Sequence, residues 1–113
     1  MYAQFSNVIT VALSLHEFDF VERFILEHGD YLPEECMEDY ICFSLARLAF
    51  FRGQYEKAVN LLNKLNLHDT DIKLGARCLQ LKTLYELGEF NLLTNQLATF
   101  KIYVHRLTGL NEV

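Results

Sequence analysis

Apolar residues recur along this chain with the spacing of amphipathic helices. One run includes Leu45, Leu48 and Ala49, and a second run follows at Ala58, Leu61, Leu62 and Leu65. Both runs follow the i, i+3, i+4, i+7 spacing of one helical face. Gly53 lies between them, and a glycine can take the left-handed conformation that ends a helix because it has no Cβ. The pattern therefore predicts two helices joined by a corner at Gly53.

The same arrangement recurs twice more along the chain. In "YELGEFNLLTNQL", Gly88 and Phe90 take the places of Gly53 and Tyr55, 35 residues later. In "SLHEFDFVERFIL", His16 takes the glycine position, and its aromatic Phe18 precedes Tyr55 by 37 residues. Three corners at nearly constant spacing predict stacked helical hairpins.

The whole chain reads as one all-α domain, residues 1–113, without an internal linker. We predict helices near residues 2–14, 18–29, 34–52, 56–66, 71–87 and 90–107. A single proline leaves few turns for a β architecture. We expect Asp69 or Thr70 to cap the fifth helix. Leu92 and Leu97 of the sixth helix are expected in the core.

The element "RGQYEKAVNLLNKL" resembles the second half of a tetratricopeptide repeat, a pair of antiparallel helices of about 34 residues. With Tyr55 at the family's aromatic position, Ala46 and Ala58 fall at its two small positions and Gly53 at its turn. The resemblance implies a TPR-like α-solenoid, a right-handed stack of about three hairpins with approximate repeats 2–35, 39–72 and 74–107. The outer copies depart from the pattern at the glycine position, where the first has His16, and by carrying larger residues at the small positions: Ile9, Val21, Leu81 and Leu93.

The resemblance also implies a concave groove lined by the first helix of each hairpin. Its outward positions are predicted at Tyr40, Phe43, Arg47, Phe50, Lys82 and Tyr85. Aromatic residues beside cations concentrate binding energy at interfaces. The predicted function is therefore a non-enzymatic scaffold for protein–protein interaction that binds a peptide or helix of a partner. The alternative for the phenylalanines is simple packing in the core, and the Lys and Asn pattern of the family's carboxylate clamp is not reproduced.

A second hypothesis concerns the ends of the stack, where an apolar face needs a cover. Four apolar residues of the first helix are predicted to form such a face: Tyr2, Phe5, Val8 and Ile9. They are expected to mediate homodimerisation or to stack on further repeats of a longer chain. In this interpretation the chain is a structural, self-assembling element.

Charge and composition exclude several classes of partner. The formal charge of −5 and the lack of a Lys/Arg run argue against nucleic-acid binding. No apolar stretch approaches the roughly 20 residues that cross a membrane. Three cysteines, Cys36, Cys42 and Cys78, are an odd number without framework spacing, so we expect a reducing, cytoplasmic location.

Candidate chemistry is sparse. The four histidines lie more than one helical turn from one another and from every cysteine, unlike the close ligand pairs of a zinc site. Ser14, His16 and Asp19 lie near one corner, where turn chemistry explains them more simply than a catalytic set does. No glycine-rich phosphate loop is present. The sequence therefore predicts no enzyme, no metal and no cofactor.

Overall fold

Alpha helices form almost all of the chain in the computed structural model, which describes residues 2–65 and 70–109, with the side chains of residues 2, 70 and 71 left aside. The helices are α1 (Tyr2–Ser14), α2 (Phe18–His28), α3 (Glu34–Phe51), α4 (Tyr55–Asn63), α5 (Thr70–Leu87) and α6 (Phe90–Thr108). A 3₁₀ turn, Gly29–Tyr31, follows α2. The all-α prediction is confirmed, and each helix begins and ends within three residues of its predicted bounds. The predicted cap by Asp69 or Thr70 lies outside what the structure describes.

The corners after α1, α3 and α5 share one backbone conformation. His16, Gly53 and Gly88 all have a positive φ, of 59°, 78° and 75°. At each corner this residue's N–H donates to the carbonyl three residues earlier, and the next N–H donates to the carbonyl five residues before it. These are the two hydrogen bonds of a Schellman motif, which satisfies the free carbonyls at a helix end. His16 thus takes the same conformation as the two glycines although it carries a Cβ.

The helices pack in chain order. Each helix contacts the next one, and α3 also contacts both α1 and α5. Among the described residues, α2 does not contact α4, and α4 does not contact α6. The first helices of the three helical pairs therefore lie side by side. The radius of gyration is 14.6 Å, slightly above the roughly 13 Å of a compact domain of this length, and the molecule extends over 42 × 30 × 24 Å.

The core runs along the boundary between successive helices. Its largest fully buried side chains include Ile9, Leu13, Val21, Ile25 and Ile72. Ala46 of α3 and Ala58 of α4 are also fully buried, and α3 packs closely against α4. Small side chains at these positions allow the two backbones to approach.

Helix α6 is attached on one side only. It contacts α5 alone among the described elements, and none of its described residues is buried. Tyr103 helps to hold it, because the cationic groups of Lys73 and Arg77 in α5 each lie 5.1 Å from its ring centre. The prediction that Leu92 and Leu97 lie in the core is wrong: both are exposed, since no described helix covers the other side of α6.

Candidate binding groove

The first helices of the three helical pairs enclose a groove of about 510 Å³. Helix α3 contributes Phe43, Arg47, Phe50 and Phe51. Helix α1 adds Ser6, and α5 adds Gly75, Cys78 and Lys82. Four of the six residues predicted for a partner groove, Phe43, Arg47, Phe50 and Lys82, thus line one surface.

Arg47 is held in place across the groove by helix α1. Its guanidinium donates to Ser6 Oγ at 3.3 Å and to Thr10 Oγ1. The Arg47 Cζ also lies 5.8 Å from the centre of the Phe43 ring. These contacts fix the cation between α1 and α3, so it is ordered before any partner arrives.

A glycine allows α3 and α5 to come together beneath the groove. A Cβ added to Gly75 would lie only 2.8 Å from Phe43 Cζ, so the buried ring of Phe43 packs directly on the α5 backbone. Gly75 was not among the residues predicted from the sequence to line this groove. The available signal was an isolated glycine within a helical pattern, which often marks close backbone approach.

The accessible part of the groove combines an aromatic and a cation. Phe51 is exposed at the end of α3, and its ring meets Phe50 edge to face at 5.9 Å. Lys82 is exposed on α5 and forms no ion pair with a described residue. A ligand in this groove would meet an apolar ring and an ammonium group together.

Tyr40 and Tyr85 do not line the groove. Tyr40 is only 5% exposed and belongs to the hydrophobic core, because its side of α3 is covered by neighbouring helices. Tyr85 is exposed, but its ring packs against Phe90 of α6 with centres 6.0 Å apart. Tyr85 occupies the position of Phe50 in the previous corner, where Phe50 packs on Tyr55 in the same way.

The residues that resembled a catalytic set have separate structural partners. Ser14 Oγ donates to the Thr10 carbonyl within α1. The His16 ring stacks on Phe18, and Asp19 pairs with Arg52. Across residues 2–65 and 70–109, no group of His, Cys, Asp or Glu is arranged to hold a metal.

The three cysteines are free thiols, each partly buried. Cys42 donates its S–H to the Leu61 carbonyl, with Sγ and oxygen 3.1 Å apart. Burial raises the pKa of the Cys42 thiol; nearby Lys64 opposes this rise, while Asp39 and Glu38 add to it. This thiol is therefore less ionised than an exposed cysteine.

The residues of the predicted self-assembly face differ in burial. Phe5 and Ile9 are buried in the core, where they pack within the chain and are not available to a second one. Val8 is exposed, and the side chain of Tyr2 lies outside what the structure describes. The exposed apolar surface at this end is instead a groove of about 650 Å³ between α1 and α2, lined by Val8, Val11, Leu15 and Phe20.

Comparison of the chain with protein-family models, with curated proteins and with solved structures gives no match. None of the described helices has the length and apolar character needed to cross a membrane.

Proposed function

We propose that this chain is a TPR-like stack of three helical hairpins that works as a protein-interaction module without enzymatic activity. The repeated corner supports the hairpin arrangement, because His16, Gly53 and Gly88 have the same conformation and the same pair of hydrogen bonds. The order of helix contacts also supports it, since α1, α3 and α5 lie side by side.

The site of interaction in this proposal is the groove between α1, α3 and α5. One observation carries the proposal: residues distant in sequence, Ser6, Phe51 and Lys82, line a single groove on packed helices. Its volume of about 510 Å³ lies within the roughly 300 to 1,000 Å³ of typical ligand sites. A groove of this size accepts several side chains of an extended or helical peptide.

The chemistry of the groove favours a partner that presents an apolar side chain next to a polar or acidic group. Phe51 offers exposed aromatic surface on α3, and Lys82 offers a cation on α5, the neighbouring helix of the groove. Both residues lie on packed helices, so little backbone entropy is lost on binding. We infer a cytoplasmic location, since three free thiols suit a reducing compartment.

The experiment is a selection of peptides from a display library on the immobilised chain. We would compare the parent with a Phe51→Ser, Lys82→Ala variant, whose changes are both exposed. Leu26→Ser is the control, because Leu26 is also an exposed apolar residue but lies outside the groove. Binding of each selected peptide is then measured by fluorescence anisotropy.

The proposal requires that peptides bind the parent and the Leu26→Ser control alike, and that the groove variant weakens binding by about tenfold or more. Peptides that bind all three proteins equally would place the interaction elsewhere. A library that yields no binder to the parent would count against an exposed peptide groove.

A further inference from the structure

One side of α3 is covered by the preceding hairpin, and its residues can be identified from their contacts with α2. Ile41 lies beside Gly29 at the end of α2, since a Cβ there would meet Ile41 Cδ1 at 2.7 Å. Arg52 pairs with Asp19 and Glu22 of α2. Leu45 and Leu48 lie between them on the same helical side. Leu48 is accordingly only 3% exposed.

None of the described elements covers the matching side of α1. The corner spacing of 37 residues places Val8, Val11 and Leu15 at the positions of Leu45, Leu48 and Arg52. All three are exposed, and they line the end groove of about 650 Å³. Val11 is 59% exposed where Leu48 is 3% exposed. Helix α1 therefore presents an exposed apolar side. The equivalent side of α3 packs on α2, the second helix of the preceding hairpin.

Helix α6 presents the complementary surface. Its Leu97 corresponds to Ile25 of α2 and Leu62 of α4, which are 1% and 6% exposed in helices that pack against another helix on either side. Leu97 is 40% exposed. The helices that carry Ile25 and Leu62, α2 and α4, each contact the first helix of the following hairpin, α3 or α5, in addition to the first helix of their own hairpin.

We propose that copies of this chain join head to tail, with α1 of one copy packed on α6 of the next as α3 packs on α2. The polar residues support a second copy as the occupant. Where α3 has Arg52, α1 has Leu15; where α2 has Asp19 and Glu22, α6 has the uncharged Asn91 and Thr94. The ion pair of Arg52 with Asp19 and Glu22 thus has no charged equivalent on either side of the proposed contact, which leaves no buried carboxylate facing Leu15.

This contact is heterologous, because it joins two different surfaces. Such a contact leaves one free α1 side and one free α6 side, so the assembly grows beyond a dimer unless it closes into a ring. Each chain carries a formal charge of −5, and salt screens the resulting repulsion between copies. Added salt should therefore strengthen the association. The proposed contact uses residues outside the peptide groove, so the test of self-association is independent of the test of peptide binding.

The test uses two blocked variants and analytical ultracentrifugation. Val11→Glu with Leu15→Glu blocks the α1 side, and Leu97→Glu blocks the α6 side. Leu26→Glu is the matched control: it is exposed, and its equivalents Asn63 and Ala98 are exposed as well, so this position remains in water within the stack. Circular dichroism checks that each variant keeps its helices, and Leu97→Gln replaces Leu97→Glu if that variant unfolds.

The expected result has three parts. The parent and the Leu26→Glu control increase in mean mass with concentration, and each blocked variant stays monomeric at the same concentrations. An equimolar mixture of the two blocked variants forms a one-to-one dimer, because each retains the side that the other lacks. A monomeric parent overturns the proposal. It is also overturned if the α6-blocked variant still self-associates, or if the mixture forms no heterodimer.

Discussion

The guanidinium Nη2 of Arg52, at the end of α3, lies 3.3 Å from Oδ1 of Asp19 in α2, so an ion pair joins these two helices. Glu22 is a second partner at 3.5 Å. The Asp19 side chain is 96% exposed, and water and salt therefore screen the attraction. The contact helps to orient α3 against α2 but adds little to the free energy of unfolding.

Replacing Arg52 by Met removes the charge and keeps most of the apolar stem. We expect a loss of about 1 kcal/mol or less in the free energy of unfolding, and a smaller loss at high salt. Urea denaturation at low and high ionic strength measures both values. Lys57→Met, at an exposed lysine, is the control. A loss well above 2 kcal/mol, or one unchanged by salt, would contradict a screened surface pair.

Gly53 carries the corner between α3 and α4 with a φ of 78°. Gly53→Ala should reduce the free energy of unfolding by about 1 kcal/mol, since a Cβ is disfavoured in the left-handed region. Gly53→Val should cost more, because a β-branched side chain fits this region worse. Thermal or urea unfolding followed by circular dichroism measures the loss.

His16 provides the matched control for Gly53. It has the same backbone conformation with a φ of 59° but already carries a Cβ. His16→Ala should therefore change the free energy of unfolding by less than about 0.5 kcal/mol. Equal losses for Gly53→Ala and His16→Ala would show that backbone conformation does not distinguish the two corners.

Ala58 is fully buried where α4 meets its neighbours. Ala58→Leu adds volume to a packed boundary and should cost about 1 to 3 kcal/mol. Asn60→Leu adds a leucine to an exposed position of the same helix and should cost far less. An Ala58→Leu variant with the denaturation midpoint of the parent would refute close packing at this position.

The free energy of unfolding should decrease as the pH rises through the pKa of the Cys42 thiol. Burial raises the pKa of its thiol in the folded chain above the reference of 9.0, so the folded state binds the proton more tightly than the unfolded state. Its contribution to stability is complete below the unfolded pKa and is lost as the pH passes the folded one. Urea unfolding between pH 7 and pH 10 measures this loss, which should shrink in Cys42→Ala. An identical pH dependence in parent and variant would exclude Cys42 as the source.

Local patterns predicted the helices well because helix ends depend on neighbouring residues. The apolar spacing located all six helices, and the aromatic after each corner located the breaks. The pattern also placed His16 at the glycine position of the first corner, and the structure shows that it takes the left-handed conformation there despite its Cβ. Four residues predicted for a groove, Phe43, Arg47, Phe50 and Lys82, line one surface, and Arg47 and Lys82 hold equivalent positions of α3 and α5. Their part in binding a partner stays a prediction.

Burial was harder to predict, because it depends on which helix covers which side. Helix α1 has apolar residues on two sides, and spacing alone does not rank them. Packing against neighbouring helices buries Phe5 and Ile9 and leaves Val11 and Leu15 exposed. Tyr40 shows the reverse error: it was placed in the groove but is enclosed by neighbouring helices.

The sequence by itself determined the six helices and the three equivalent corners, since these follow from hydrogen bonds and steric limits within a few residues. Only the tertiary structure decided that Ser6, Phe51 and Lys82 share a groove and that α1 and α6 present uncovered apolar sides. The physical reason is that a side chain's exposure is set by the helices packed around it. Those contacts join residues that lie far apart in the chain.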